Sequence, residues 1–133
     1  MTWPVEIASA LGGGPKADVL LDLDEANPEM VRIQVRNGDD DRTAGGYITA
    51  DNASRLARAL QRHEEITLLC SDGDIDPAAA VLCLGYAADE KTAVLTINQE
   101  AVASAWVLLL PRQVHRLGLD LLDGAQSVRH RVW

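Results

Sequence analysis

The chain has 133 residues and a formal net charge of −8 at pH 7. That length suits one domain with its own core, and an acidic chain without a basic run has little with which to neutralise the phosphates of nucleic acid or anionic lipid. Apolar residues make up 47% and charged residues 24%, a globular balance, and no apolar run reaches the roughly 18 residues of a spanning helix.

Residues 1–16 read as a preamble to a single domain over 1–133. Pro4 suits the opening of a helical turn, and Gly12-Gly13-Gly14-Pro15 stops it. Asp18–Leu23 is a strand rich in Val and Leu. Asn27-Pro28 marks a turn. In Met30–Arg36, Val31, Ile33 and Val35 alternate with Arg32, Gln34 and Arg36, the pattern of a strand with one face buried. Asp39-Asp40-Asp41 is a charged hairpin loop, of the kind that keeps a sheet edge soluble. Gly45–Thr49 is a short strand. Thr49 or Asp51 caps the next helix, whose stripe is Ala53, Leu56, Ala57 and Leu60. Glu65–Cys70 returns as a strand.

Ser71–Pro77 is a join, and the order then recurs. Ala78–Ala87 is almost continuously apolar and should lie inside a sheet. Thr92–Asn98 alternates, and Ala105–Leu110 is apolar throughout. Pro111 fits the first turn of a helix with Val114, Leu117 and Leu121 as its stripe. Gly124 ends that helix, and Ser127–Val132 alternates as a last strand. Residues 17–71 and 79–133 therefore read as two units 62 residues apart. Their only identities are Ala17/Ala79, Val19/Val81, Leu20/Leu82, Ala26/Ala88 and Leu60/Leu122. The pattern repeats and the residues do not. The expected fold is α+β: two pseudo-repeated strand-strand-strand-helix-strand units, mostly antiparallel sheet, with two main helices on one face.

The core has to be aliphatic, because there is no Phe and only three Trp and two Tyr. Ten Arg against two Lys, with abundant Ala, is the composition of a GC-rich bacterial gene. Cys70 and Cys83 sit in apolar strands and read as reduced, buried thiols. A disulfide would need their strands to be neighbours.

Candidate chemistry is sparse. Asp72, Asp74 and Asp76 alternate like the start of a calcium loop. Pro77 stands where that loop needs Gly, and Cys83 where it needs Glu, so a solvated linker is the better reading. His63, His115 and His130 do not form an i, i+4 pair. No nucleophile motif accompanies them. Gly12–Lys16 lacks the strand and the Gly-Lys-Ser/Thr of a phosphate loop. No catalytic residue, cofactor or metal ligand is assigned. The apolar surplus of the second half offers an interface instead, with Trp106, Leu108, Leu119 and Leu122 as candidates.

The expected function is that of a small intracellular bacterial protein-binding module without catalytic activity, immunity-, adaptor- or chaperone-like. Its partner would be a protein, including a second copy of itself, and not nucleic acid or membrane. The alternative is a small-molecule-binding protein or small enzyme with a pocket between sheet and helices. Without a charged start and apolar stretch of signal-peptide form, the expected compartment is the cytoplasm.

Overall fold

The alternation in the sequence resolves into two antiparallel sheets in a computed structural model that describes residues 5–8, 18–23, 27–37, 42–73, 78–88, 91–99 and 103–132. The first sheet contains β1 (Val5–Ala8), β2 (Asp18–Asp22), β3 (Met30–Asn37) and β4 (Arg42–Thr49), paired in chain order. Helix α1 (Ala50–Arg62) follows. The second sheet contains β5 (Ile66–Cys70), β6 (Ala80–Tyr86), β7 (Ala93–Gln99) and β8 (Ala103–Leu109), again in chain order, and α2 (Pro111–Val132) completes the chain's described part. The fold class is α+β, as the sequence indicates.

Three expectations are corrected. The strand expected at Ser127–Val132 is the last part of α2. Leu117, Leu121, Ala125 and Val128 are all buried, and their spacing of four, four and three is helical. That stripe outweighs a six-residue alternation, and Gly124 lies buried inside the helix rather than at its end. Within the preamble, Val5–Ala8 is a strand, with Val5 opposite Leu21 and Ile7 opposite Val19; Pro4 and Gly12–Lys16 lie outside the described residues. Finally, β5 pairs with β6. It opens the second sheet instead of closing the first: residues 17–71 do run strand-strand-strand-helix-strand, but the last of those strands pairs outside the unit, and residues 79–133 end on a helix.

Local signals fix both helix ends at their start. The Thr49 hydroxyl accepts from the Asn52 N–H at 3.1 Å, an N-cap. Pro111 opens α2, and Gln113 Oε1 accepts from the Leu110 N–H at 2.8 Å, the back-reaching half of a capping box. At the end of α1, His63 adopts a left-handed backbone (φ 55°). The His63 and Glu64 N–H groups both donate to the Ala59 carbonyl, closing the helix.

Each sheet turns one side inward. Val19, Leu21, Val31, Ile33, Val35 and Ile48 of the first sheet share one core with Leu82, Leu95, Ile97, Val107 and Leu109 of the second. β3 and β4 run against β7 and β8. The sheets also join where Tyr47 and Ser71 exchange backbone hydrogen bonds of 2.9 and 2.8 Å. The two helices lie along each other. α1 touches β3, β4 and β5, while α2 touches β1, β2, β3 and β8. The helices meet at Gly118, where a Cβ would sit at an ordinary contact distance of 3.7 Å from the Ala57 carbonyl oxygen.

Candidate functional site

Because strand side chains alternate, the inward set above leaves an outward set on each sheet. The two outer faces differ in kind. On the first sheet the cross-strand rows are Asp18–Arg36–Thr43, Leu20–Gln34–Gly45 and Asp22–Arg32–Tyr47. This is a polar face. Asp18 is buried beneath an ion pair with Arg36, whose own side chain stays half in solvent. Two recesses open on it, of about 130 and 190 Å³. The larger is lined by Arg32, Gln34, Tyr47 and Gln99 among others, and Gln99 Oε1 accepts from the Gly45 N–H at 3.1 Å. Both are below the ~300–1,000 Å³ of ordinary ligand pockets. Neither lies between a sheet and the helices, where the small-molecule reading expects one.

The outer face of the second sheet has rows Leu69–Val81–Asn98–Ser104 and Thr67–Cys83–Thr96–Trp106, followed by Gly85–Val94–Leu108. No Asp, Glu, Lys or Arg occupies any of these positions. Leu69 is 55% and Trp106 46% exposed, and Cys83 is exposed between them. Over Gly85 the face is open, since a Cβ there would meet nothing within 4 Å. This is an exposed apolar patch on a chain where nearly a quarter of residues are charged, and such patches mark interaction sites.

The interface candidates divide between two places. Trp106 and Leu108 share the outer sheet face, having the same parity in β8. Leu119 stands exposed on α2, and Leu122 is partly buried against the core. Leu69 belongs to the patch although sequence reasoning passed over it. Its signal was present: Ile66, Leu68 and Cys70 point inward, so Leu69 must point out.

The other candidates do not converge. Asp72 is exposed beside the larger recess, while Asp74 and Asp76 lie outside the described residues. Among the described residues no three His, Cys, Asp or Glu side chains gather where a metal could sit. His63 lies against Tyr86, ring centroids 5.5 Å apart. The Tyr86 hydroxyl donates to the Ala59 carbonyl at 3.2 Å, and burial, with Glu64 nearby, raises its pKa. His115 is exposed, and the His130 side chain is outside the described set. Asp120 is buried on α2. Burial raises its carboxyl above the ordinary value, Arg116 at 3.7 Å opposes that rise, and Asp123 adds to it.

Cys70 and Cys83 are free thiols. Their strands are neighbours, but Cys83 lies opposite Thr67 while Cys70 lies opposite Ala80. The two thiols therefore have opposite parity and face opposite sides of the sheet. Burial pushes Cys70 up to about 11. In dilute native protein a thiol-reactive dye is expected to label Cys83 alone, and Cys70 only after urea unfolds the chain. Two equivalents labelled at equal rates in the native state would contradict this arrangement.

No helix among the described residues is long and apolar enough to cross a membrane. Compared with protein-family models and with curated proteins, the chain matches none.

Proposed function

We propose that the chain is a protein-interaction module without catalytic activity, acting in the bacterial cytoplasm as an adaptor, immunity protein or chaperone acts. Two copies meet through the outer face of the second sheet. One observation carries this reading. Strands with apolar residues on both faces belong where both sheet faces are covered, yet Cys83 on β6 and Trp106 on β8 point outward and are exposed. The missing cover is supplied by a partner.

A second copy fits for reasons of charge. Each chain carries −8, so most ways of bringing two together set acid against acid. The uncharged face does not. A symmetric dimer would set this face against its own copy, with Trp106, exposed on the edge strand β8, as an anchor at its rim. Three strands of seven residues and one of five, about 4.8 Å apart, span roughly 400 Å² per copy. That is at the small end of specific interfaces, so the dimer should dissociate on the order of micromolar concentration. The matched order of four strands and a helix in each half suits an ancestral doubling in which only the second copy kept an association face.

Light scattering over a dilution series tests the proposal. The expected mass is twice 14.4 kDa at high concentration, falling toward one chain on dilution. Val94→Glu should leave a folded monomer throughout, and Cys83 labelling should slow as the dimer forms. A chain that stays monomeric at high concentration overturns the dimer.

A further inference from the structure

The chain's charge is sorted by element. α1 carries Arg55, Arg58 and Arg62 against Asp51. α2 carries Arg112, Arg116, Arg129 and Arg131 against Asp120 and Asp123. The two helices thus hold a net +4, and the remainder of a chain whose total is −8 holds −12. No lysine lies in either helix.

The sorting is spatial as well. Arg55, Arg58 and Arg62 are spaced three and four apart, opposite the buried Ala53, Leu56 and Leu60, and all three are exposed. They form one ridge. On α2, Arg112, Arg116 and Leu119 are spaced four and three apart and form a second exposed ridge, with His115 beside it. The helices lie along each other with Gly118 against Ala57 and Leu60, and each ridge is on the side of its helix turned away from the buried stripe, so both belong to the solvent-facing surface of the helix pair. Arg116 sits near Asp120, and Arg55 donates to the Asn52 side chain at 3.1 Å. Among the described residues, the side chains of Arg58, Arg62 and Arg112 make no hydrogen bond or ion pair.

We infer that the paired ridges Arg55/Arg58/Arg62 and Arg112/Arg116, with Leu119 between charge and solvent, form a docking surface for an acidic segment of a protein partner that also carries an apolar side chain. This goes beyond the dimer proposed above. It rests on the chain being a binding module but not on the dimer, whose face is a different one. Arginine forks match carboxylates bidentately, which lysines do not. Leu119, 48% exposed, supplies an apolar anchor among the cations. Size favours a short polypeptide over a duplex or a membrane. From Arg55 to Arg62 the helix rises only about 10 Å, and a rod or plane extending beyond that meets the −12 of the strands and loops.

The test uses fluorescence anisotropy of a short labelled peptide of glutamates interrupted by leucine, with the full chain. Binding is expected at low ionic strength and should weaken as salt rises. Charge reversal at Arg58, Arg62 and Arg112 to Glu should weaken it roughly tenfold or more. Leu119→Ser should weaken it by a smaller factor that salt does not change. The dimer mass should be untouched in every variant, so that loss of peptide binding and loss of the dimer are told apart. R58Q/R62Q keeps the test readable if the reversed variant unfolds. The inference is overturned if the peptide does not bind at low salt. It is equally overturned if the folded variants bind it as the native chain does, or if labelled duplex DNA or anionic phosphatidylglycerol vesicles bind more tightly.

Discussion

Ile33→Ala and Leu95→Ala are each expected to lower the unfolding free energy by about 2–5 kcal/mol, and to shift the same single transition. Ile33 is in the middle of β3 in the first sheet, and Leu95 in the middle of β7 in the second. Both are fully buried. Both belong to one buried cluster in which β3 approaches β7 and β8. The effect should fall toward the upper half of that range. No aromatic residue is among the fully buried core side chains, Tyr86 at its margin is held by its hydroxyl on the Ala59 carbonyl, and the β-branched neighbours Val31, Val35 and Val107 have stiff χ1 angles. A void once opened is therefore poorly refilled, and the cavity contribution adds to the lost burial. Because folded domains of this size are stable by only ~5–15 kcal/mol, the double variant should be largely unfolded at room temperature. Urea unfolding followed both by far-UV circular dichroism and by tryptophan fluorescence gives the readout. Coincident curves in both single variants mean one cooperative unit. An Ile33→Ala protein that loses the first sheet's signal while the second persists would mean two units.

The parts of this fold that were legible in the sequence are those governed by local alternation. Val31, Ile33 and Val35 in β3 and Leu95 and Ile97 in β7 face inward because a half-buried strand admits only period two. The stripe of α1 and its Thr49 cap are similarly local, and so is Pro111 opening α2. What failed was non-local or too short. β1 is four residues long, less than an alternation needs to be distinctive. The pattern Val128, His130, Val132 fits a strand over six residues, and only a longer window reaching back to Leu117 and Leu121 shows the helical stripe. Nothing within Ile66–Cys70 states which sheet it joins, since pairing is decided by the partner strand. The candidate surface shows the same division. Trp106 and Leu108 were brought to one open face by parity in a single strand. Leu119 and Leu122 share a helix with neither, and an apolar surplus by itself does not say which side it faces. The sorting of charge was countable residue by residue, but its meaning required α1 and α2 to lie side by side.

Gly46→Val is expected to be among the most damaging single changes on the surface-facing strands, costing roughly 4 kcal/mol or more, with Gly46→Ala at about 1–3 kcal/mol. The reason is space rather than backbone freedom, because Gly46 is not among the described residues with positive φ. A Cβ on Gly46 would lie 2.6 Å from the Cys70 Cβ and 3.1 Å from the Ser71 carbonyl oxygen. Neither obstacle is the far end of a flexible side chain. To admit a methyl group β4 and β5 must separate, and they are joined there by the two Tyr47–Ser71 hydrogen bonds, so the insult falls on the point where the two sheets meet. Gly118→Ala is the control. Its Cβ would meet neighbours only at 3.7–4.0 Å, ordinary contact, while alanine gains up to about 1 kcal/mol of helix propensity over glycine. That variant should be neutral or more stable. Chemical denaturation of the two alanine variants therefore predicts opposite signs from the same substitution. A second-site change locates the cause: removing the Cys70 Cβ in Gly46→Ala/Cys70→Gly should cost less than the sum of the single variants, a favourable coupling. Strict additivity would mean that the glycine is needed for something other than the close approach of β5, and equal stability of Gly46→Ala and the native chain would mean that the two sheets do not meet at Gly46.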